Sequence, residues 1–232
     1  MTKRLQTLGV VLAVIGLGFL AGAGVAYARV QAGYKSLHAL SAAQNVELTY
    51  NADGQLADDT GSTKEATAIM SLLKDDWKYP VVSSDLNPND PVVNTASEYM
   101  YQMATITYHT ITRPQTVVLP EDVTADNGKV FKAGSYDFNP NGKYWTGYDR
   151  SNPIEAIARD QAWSGTAHGL IAELGVGTVT HSALQLGLAL AGILAGLGLT
   201  IILAGLGLVW VGRAPAQITA PVAERTAEPV LV

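Results

Sequence analysis

The chain has 232 residues, of which 48% are hydrophobic and only 15% charged, against about 25% charged in an ordinary soluble domain. It contains no cysteine, which excludes disulfides, thiolate metal sites, c-type haem attachment and cysteine nucleophiles. The net charge of −5, with no block of like charges, argues against nucleic acid as a partner.

The charge deficit is localised in two runs. The first follows Lys3 and Arg4 and extends without a charge from Leu5 to Ala28. A basic start, an apolar core and the small-x-small pattern Ala26-Tyr27-Ala28 have the layout of a secretory signal. The apolar run is longer than the usual h-region of about 7–15 residues, so an uncleaved anchor is expected. Residues 1–7 then lie in the cytoplasm and residues 8–28 form a transmembrane helix. Gly18 and Gly22 make a G-x-x-x-G, a spacing that lets helix backbones approach closely, either with the second span or with another protein.

Beyond Ala28 the pattern stays helical. Val30, Tyr34, Leu37 and Leu40 recur at three- to four-residue spacing, which predicts a stalk continuing to about Gln44. Val46, Leu48 and Tyr50 alternate with polar residues as in a short strand, ending at the turn Asn51-Ala52-Asp53-Gly54. Ser62-Thr63-Lys64-Glu65 fits a capping box, and Ala66, Ile69, Met70, Leu73 and Trp77 form one face of the helix it opens. A loop rich in Pro, Asn and Asp spans residues 80–91. Asp90-Pro91 then predicts a helix start, with the helix running to about Ile111 and stopped by Arg113-Pro114.

Asp126-Asn127-Gly128 is a strong hairpin signal, because Asn-Gly tolerates positive φ; Thr116 to Leu119 and Lys129 to Phe138 are its predicted arms. Asn139-Pro140-Asn141-Gly142 makes another turn before Tyr144, Trp145 and Tyr148. Asn152-Pro153 caps a third helix, expected to feed the second apolar run with a bend at Gly175-Val176-Gly177. That run has no charged residue from Leu174 to Gly212, counting His181 as neutral, and is closed by Trp210 and Arg213. Residues 182–212 are the second predicted span. Gly192 and Gly196 repeat the G-x-x-x-G spacing, and Ala-Gly-Leu-Gly-Leu occurs at 195–199 and 204–208. Basic residues flank both outer ends, so both termini are expected in the cytoplasm and residues 29–181 outside. The tail, residues 213–232, has no periodicity and is expected to be disordered.

The expected fold class is therefore an integral membrane protein, mainly α. Two transmembrane helices flank a mostly helical exported domain with a small β-hairpin region.

Few residues suggest chemistry. The four histidines, His38, His109, His168 and His181, form no H-x-x-x-H or H-E-x-x-H arrangement. His109 with Met100 or Met103 offers soft ligands of the kind copper accepts, but a Met and Tyr stripe at helical spacing reads better as core. Asp160, Ser164 and His168 can share one helix face, yet nothing resembling G-x-S-x-G surrounds Ser164. Tyr144, Trp145, Tyr148 and Trp163 form an aromatic cluster among polar residues. It suits a membrane surface, a protein partner, a ligand pocket or the domain's own core.

Ala43-Gln44-Asn45-Val46, the stretch from Asp90 to His109, and the segment from Asn152-Pro153 into the second span carry a resemblance. The chain resembles small actinobacterial two-span membrane proteins with one exported segment, many of them labelled aromatic ring-opening dioxygenases. The resemblance implies the topology; no histidine–carboxylate constellation for iron supports the label here.

The expected function is that of a non-catalytic accessory or stabilising subunit of a larger membrane complex, such as a respiratory complex or membrane-bound oxygenase. No catalytic residue, metal or cofactor is expected. Other integral membrane subunits and the lipid bilayer are the expected partners. The candidate interface residues are Gly18, Gly22, Gly192, Gly196, Tyr144, Trp145, Tyr148 and Trp163. The alternatives are an exported ligand-binding or sensing module and an exported metalloenzyme or hydrolase.

Overall fold

The computed structural model describes residues 2–213; the reading of the tail beyond Arg213 lies outside them. Two helices dominate: α1 is Thr2–Gln44 and α5 is Gly165–Val211. Between them come α2 (Thr63–Ser71), α3 (Ala96–Thr112), four short strands and α4 (Pro153–Ala162). The most apolar windows of α1 and α5 both have a mean hydropathy of 2.4, and only 17% and 11% of them are buried. A core helix of a soluble protein would be mostly buried, so both helices are long and apolar enough to cross a membrane. At about 1.5 Å per residue each exceeds 60 Å, twice the thickness of a hydrocarbon core.

The chain divides into two units, the outer segments of α1 and α5 (up to Tyr27 and from Ala189) and the central residues Ala28–Leu188. In the first unit the two helix segments pair antiparallel. A Cβ on Gly9 would lie 2.4 Å from the carbonyl oxygen of Gly205, and one on Gly16 would lie 2.6 Å from that of Gly198. The reciprocal approaches are as close: 2.5 Å for Gly205 to Gly9 and 2.8 Å for Gly198 to Gly16. Ala23 and Ala191 are buried, and Gln6 Nε2 donates to the carbonyl of Gly212 at 3.0 Å. Backbones this close gain dispersion contacts and weak Cα–H···O contacts that larger side chains would prevent. Gly9, Gly16 and Ala23 follow a seven-residue step, as do Ala191, Gly198 and Gly205.

In the second unit the core is built from α2, α3, β1 (Gln115–Leu119) and α4, with Leu73, Ala104, Val117 and Ala158 fully buried. β1 pairs antiparallel with β4 (Gly134–Phe138), Gln115 opposite Phe138 and Leu119 opposite Gly134. Inside that loop β2 (Val123–Thr124) pairs with β3 (Val130–Phe131) across the Asn127-Gly128 turn, where Gly128 has φ 82°. The predicted second arm of the hairpin is thus two strands broken at Lys132-Ala133.

Several local expectations shift. α3 starts at Ala96 rather than after Pro91, because residues around 92 are extended. Leu48 N–H donates to Pro91 O and Val93 N–H to Val46 O. The reciprocal capping box is Thr95 with Glu98. At Ser62 only half a box forms: its side chain accepts from Lys64 N, while Glu65 pairs with His109. α2 continues through a π-helical turn, Leu72–Asp76, which carries the chain to Trp77. The break before α5 falls at Trp163-Ser164, where Ser164 Oγ accepts from Ala167 N at 3.2 Å. α5 runs through Gly175 and Gly177 as one helix.

Candidate functional site

Gly177 explains why that stretch carries glycine. A Cβ there would lie 2.7 Å from Cε1 of Tyr99 on α3, so the missing side chain admits the flat face of α5 against the ring. Tyr99 Oη then reaches Ser41 Oγ on α1, 2.7 Å away, and both residues are buried. On the other flank of α1, Gly33 admits Leu184, whose Cδ2 would be 2.4 Å from an added Cβ. Small residues thus let the stalk of α1, the start of α5 and α3 converge without filling the space between them.

The space left is a cavity of about 910 Å³, near the top of the range of about 300–1,000 Å³ for ligand pockets. Leu37, Leu40, Ile106, Leu170, Leu174 and Val176 supply its apolar wall. Leu40 and Val176 stand 55% and 67% exposed at its rim. Its polar groups are few, among them Ser36, Gln102 and Thr180. Glu173 is the one charged lining residue among the described residues, and Gln44 Nε2 donates to that carboxylate. Sequence reasoning missed this site. Its residues are ordinary types drawn from three distant segments; Leu37, Leu40, Val46, Val176 and Gly177 were read only as stalk, strand and bend.

The aromatic cluster is largely structural. Tyr148 and Trp163 are 5% and 8% exposed and belong to the domain's own core. That is the packing alternative, and it corrects the expectation that these two rings face a partner or a pocket. Tyr144 remains 42% exposed and accepts from Trp77 Nε1 at 2.9 Å. Trp145 is half-buried, with the Arg159 guanidinium 4.3 Å from its ring centroid and His168 edge-on at 5.1 Å. Tyr148 Oη, Trp163 Nε1 and Arg159 Nη1 are buried without a partner among the described residues. Burial pushes the Tyr148 phenol above its ordinary pKa.

The chemistry-bearing residues do not assemble. His109 pairs with Glu65 and Arg113, while Met103 lies against Gly175. Ser164 Oγ caps α5, His168 Nδ1 bonds the Ser164 carbonyl at 3.1 Å, and Asp160 pairs with Arg159. No group of three His, Asp or Glu suited to a metal occurs among the described residues.

The four span glycines expected at an interface lie away from the seam. Among the described residues, nothing comes within 4 Å of a Cβ on Gly18, Gly22, Gly192 or Gly196. All four are exposed, and the pairing of α1 with α5 uses Gly9, Gly16, Gly198 and Gly205 instead. No family model, curated protein or solved structure matches the chain.

Proposed function

We propose that the protein is a non-catalytic accessory or stabilising subunit of a larger membrane assembly, of which a respiratory complex or membrane-bound oxygenase is an example. Residues 8–28 and 182–212 would cross the bilayer, with the termini cytoplasmic and residues 29–181 outside. The observation that carries the reading is the division of labour among glycines. One set closes the chain's own helix pair, and a second set, Gly18, Gly22, Gly192 and Gly196, stays open among the described residues. A neighbouring span can approach closely at such positions. Exposed Tyr144 adds an aromatic anchor on the central domain.

The test is purification in mild detergent of the wild type and of the G18L/G22L and G192L/G196L variants. Specific membrane subunits should co-elute with the wild type and be lost with at least one variant pair. A lone monodisperse monomer would overturn the reading. Protease added outside intact cells should cut within residues 46–150; protection there would reverse the orientation.

One observation favours a second reading, an anchored ligand-binding module: the cavity of about 910 Å³ between α1, α3 and α5. It lies apart from the aromatic cluster where a pocket was expected. An uncharged fluorescent probe, N-phenyl-1-naphthylamine, should bind the detergent-solubilised protein and be excluded by V176K.

A further inference from the structure

The chemistry of that cavity, taken with its position along the helices, identifies an occupant. We infer that it receives the acyl chain of a bilayer lipid, a deduction that rests on the ligand-binding reading and deepens it.

The lining and its place along the helices carry the assignment. The wall is mainly aliphatic, and no Lys or Arg lines it among the described residues. An anionic headgroup would find no cation there and would meet the Glu173 carboxylate, already engaged by Gln44. A hydrocarbon chain needs no polar partner and gains by leaving water, at about 25 cal/mol per Å² of apolar surface buried.

The position is equally selective. Gly33, at one end of the lining, is five residues beyond Ala28 on the uninterrupted helix α1. That is about 8 Å along the axis. Thr180 and Gly177 occupy the corresponding stretch of α5, just before the expected second span. The Gly33 and Thr180 end of the cavity thus lies beside the expected spans, where a leaflet would supply apolar chains at the high effective concentration that adjacency provides. The rim residues Leu40 and Val176, more than half exposed, are the side chains such a chain would cover.

The experiment reconstitutes the full chain in phosphatidylcholine vesicles whose acyl chains carry a mid-chain diazirine, and maps the photolabelled residues. Label on Ile106 of α3, which lies in neither span, is the expected result, together with label on Leu37 or Leu174. L40K and V176K should each lower the Ile106 label several-fold. Both change exposed positions and leave the core intact. V82K, at an exposed residue outside the lining, should leave the label unchanged.

Label confined to residues 8–28 and 182–212 would overturn the inference, as would label at Ile106 that survives both rim changes. If N-phenyl-1-naphthylamine still binds in a V176K-sensitive way while lipid fails to label, the cavity is a ligand site but its occupant is not an acyl chain. A V176C disulfide dimer, readable because the chain has no other cysteine, would show that a second copy covers the groove and would also overturn it. None of these results bears on the outward glycines, so the subunit reading stands or falls separately.

Discussion

The carbonyl oxygen of Gly205 lies 2.4 Å from the place where a side chain on Gly9 would begin. Seven residues on, Gly16 meets Gly198 in the same way. Any larger residue at these four positions must push two backbones apart. G16L or G198L should therefore cost about 1–3 kcal/mol in the pairing of α1 with α5, as overpacking does in close-packed interiors. Thermal unfolding in detergent measures it. G18L and G22L, which add side chains to open space, should leave the midpoint within error of the wild type. Equal losses for both sets would refute the assignment of the seam.

Gly177 and Tyr99 present the same constraint with a different remedy. G177A would place a methyl about 2.7 Å from the Tyr99 ring and should destabilise the central domain by about 1–3 kcal/mol. Y99F removes the bond to Ser41 and should cost about 1 kcal/mol. Combining G177A with Y99L should recover part of the G177A loss, because the smaller side chain makes room. A double-mutant cycle on unfolding free energies reads this coupling, and strict additivity would show that the two residues do not press on each other.

Thr95 and Glu98 cap α3 reciprocally. Glu98 accepts from Asn94 N, Thr95 N and Thr95 Oγ1, at 3.0, 2.8 and 2.9 Å. T95A leaves the first amides of α3 without this cap and should destabilise the domain by about 1 kcal/mol. Loss of α3 helicity by circular dichroism at a lower temperature than wild type is the expected signature.

Glu98 is 1% exposed, and its burial, opposed by those hydrogen bonds, raises its carboxyl above the ordinary 4.5. The folded state then holds a proton more tightly than the unfolded chain. Stability from this group is present below about pH 4.5 and is lost as pH rises through the raised folded value. E98Q has no such titration and retains an acceptor oxygen for the cap. The wild type should lose stability relative to E98Q as pH increases across that window, read as the difference in midpoint at each pH. A difference that is flat with pH, or that grows with pH, would be inconsistent with the burial argument.

Asp58 and Asp149 behave in the opposite sense. Hydrogen bonds from Thr60 and Ser62 to Asp58, and from Ser151 to Asp149, hold both carboxyls below 3.8. Their contribution is complete above that value and fades as pH falls through the depressed folded values. D58N and D149N should therefore weaken the protein at neutral pH and narrow its gap from wild type in strong acid.

The two long apolar helices were legible because charge is expensive in hydrocarbon, so its absence over Leu5–Ala28 and Leu174–Gly212 is a signal in itself. The stalk to Gln44 and the Asn127-Gly128 turn were legible from local rules. The seam was not. The i, i+4 spacing of Gly18 with Gly22 and Gly192 with Gly196 suits a crossing of one kind. The seven-residue step of Gly9 with Gly16 suits helices that stay side by side over several turns. The Ala-Gly-Leu-Gly-Leu repeat obscured this, since its copies are nine residues apart. The seam takes the second glycine of one copy, Gly198, and the first of the next, Gly205. Tyr148 and Trp163 were ambiguous for a different reason. Their neighbours in sequence are polar, and only tertiary packing against β4 and α4 buries them.

The glycine-on-glycine seam also limits how the chain can be repaired. At Gly177 a damaging methyl has a large neighbour, and a second mutation that trims Tyr99 can compensate. Opposite Gly9 and Gly16 the nearest atoms are the backbone carbonyl oxygens of Gly205 and Gly198, which no substitution can trim; shortening the adjacent Val209 or Ile202 side chain relieves only part of the clash. Suppressors of G16L should therefore be absent at position 198 in a genetic selection, and arise as reversions or at sites elsewhere along α1 and α5.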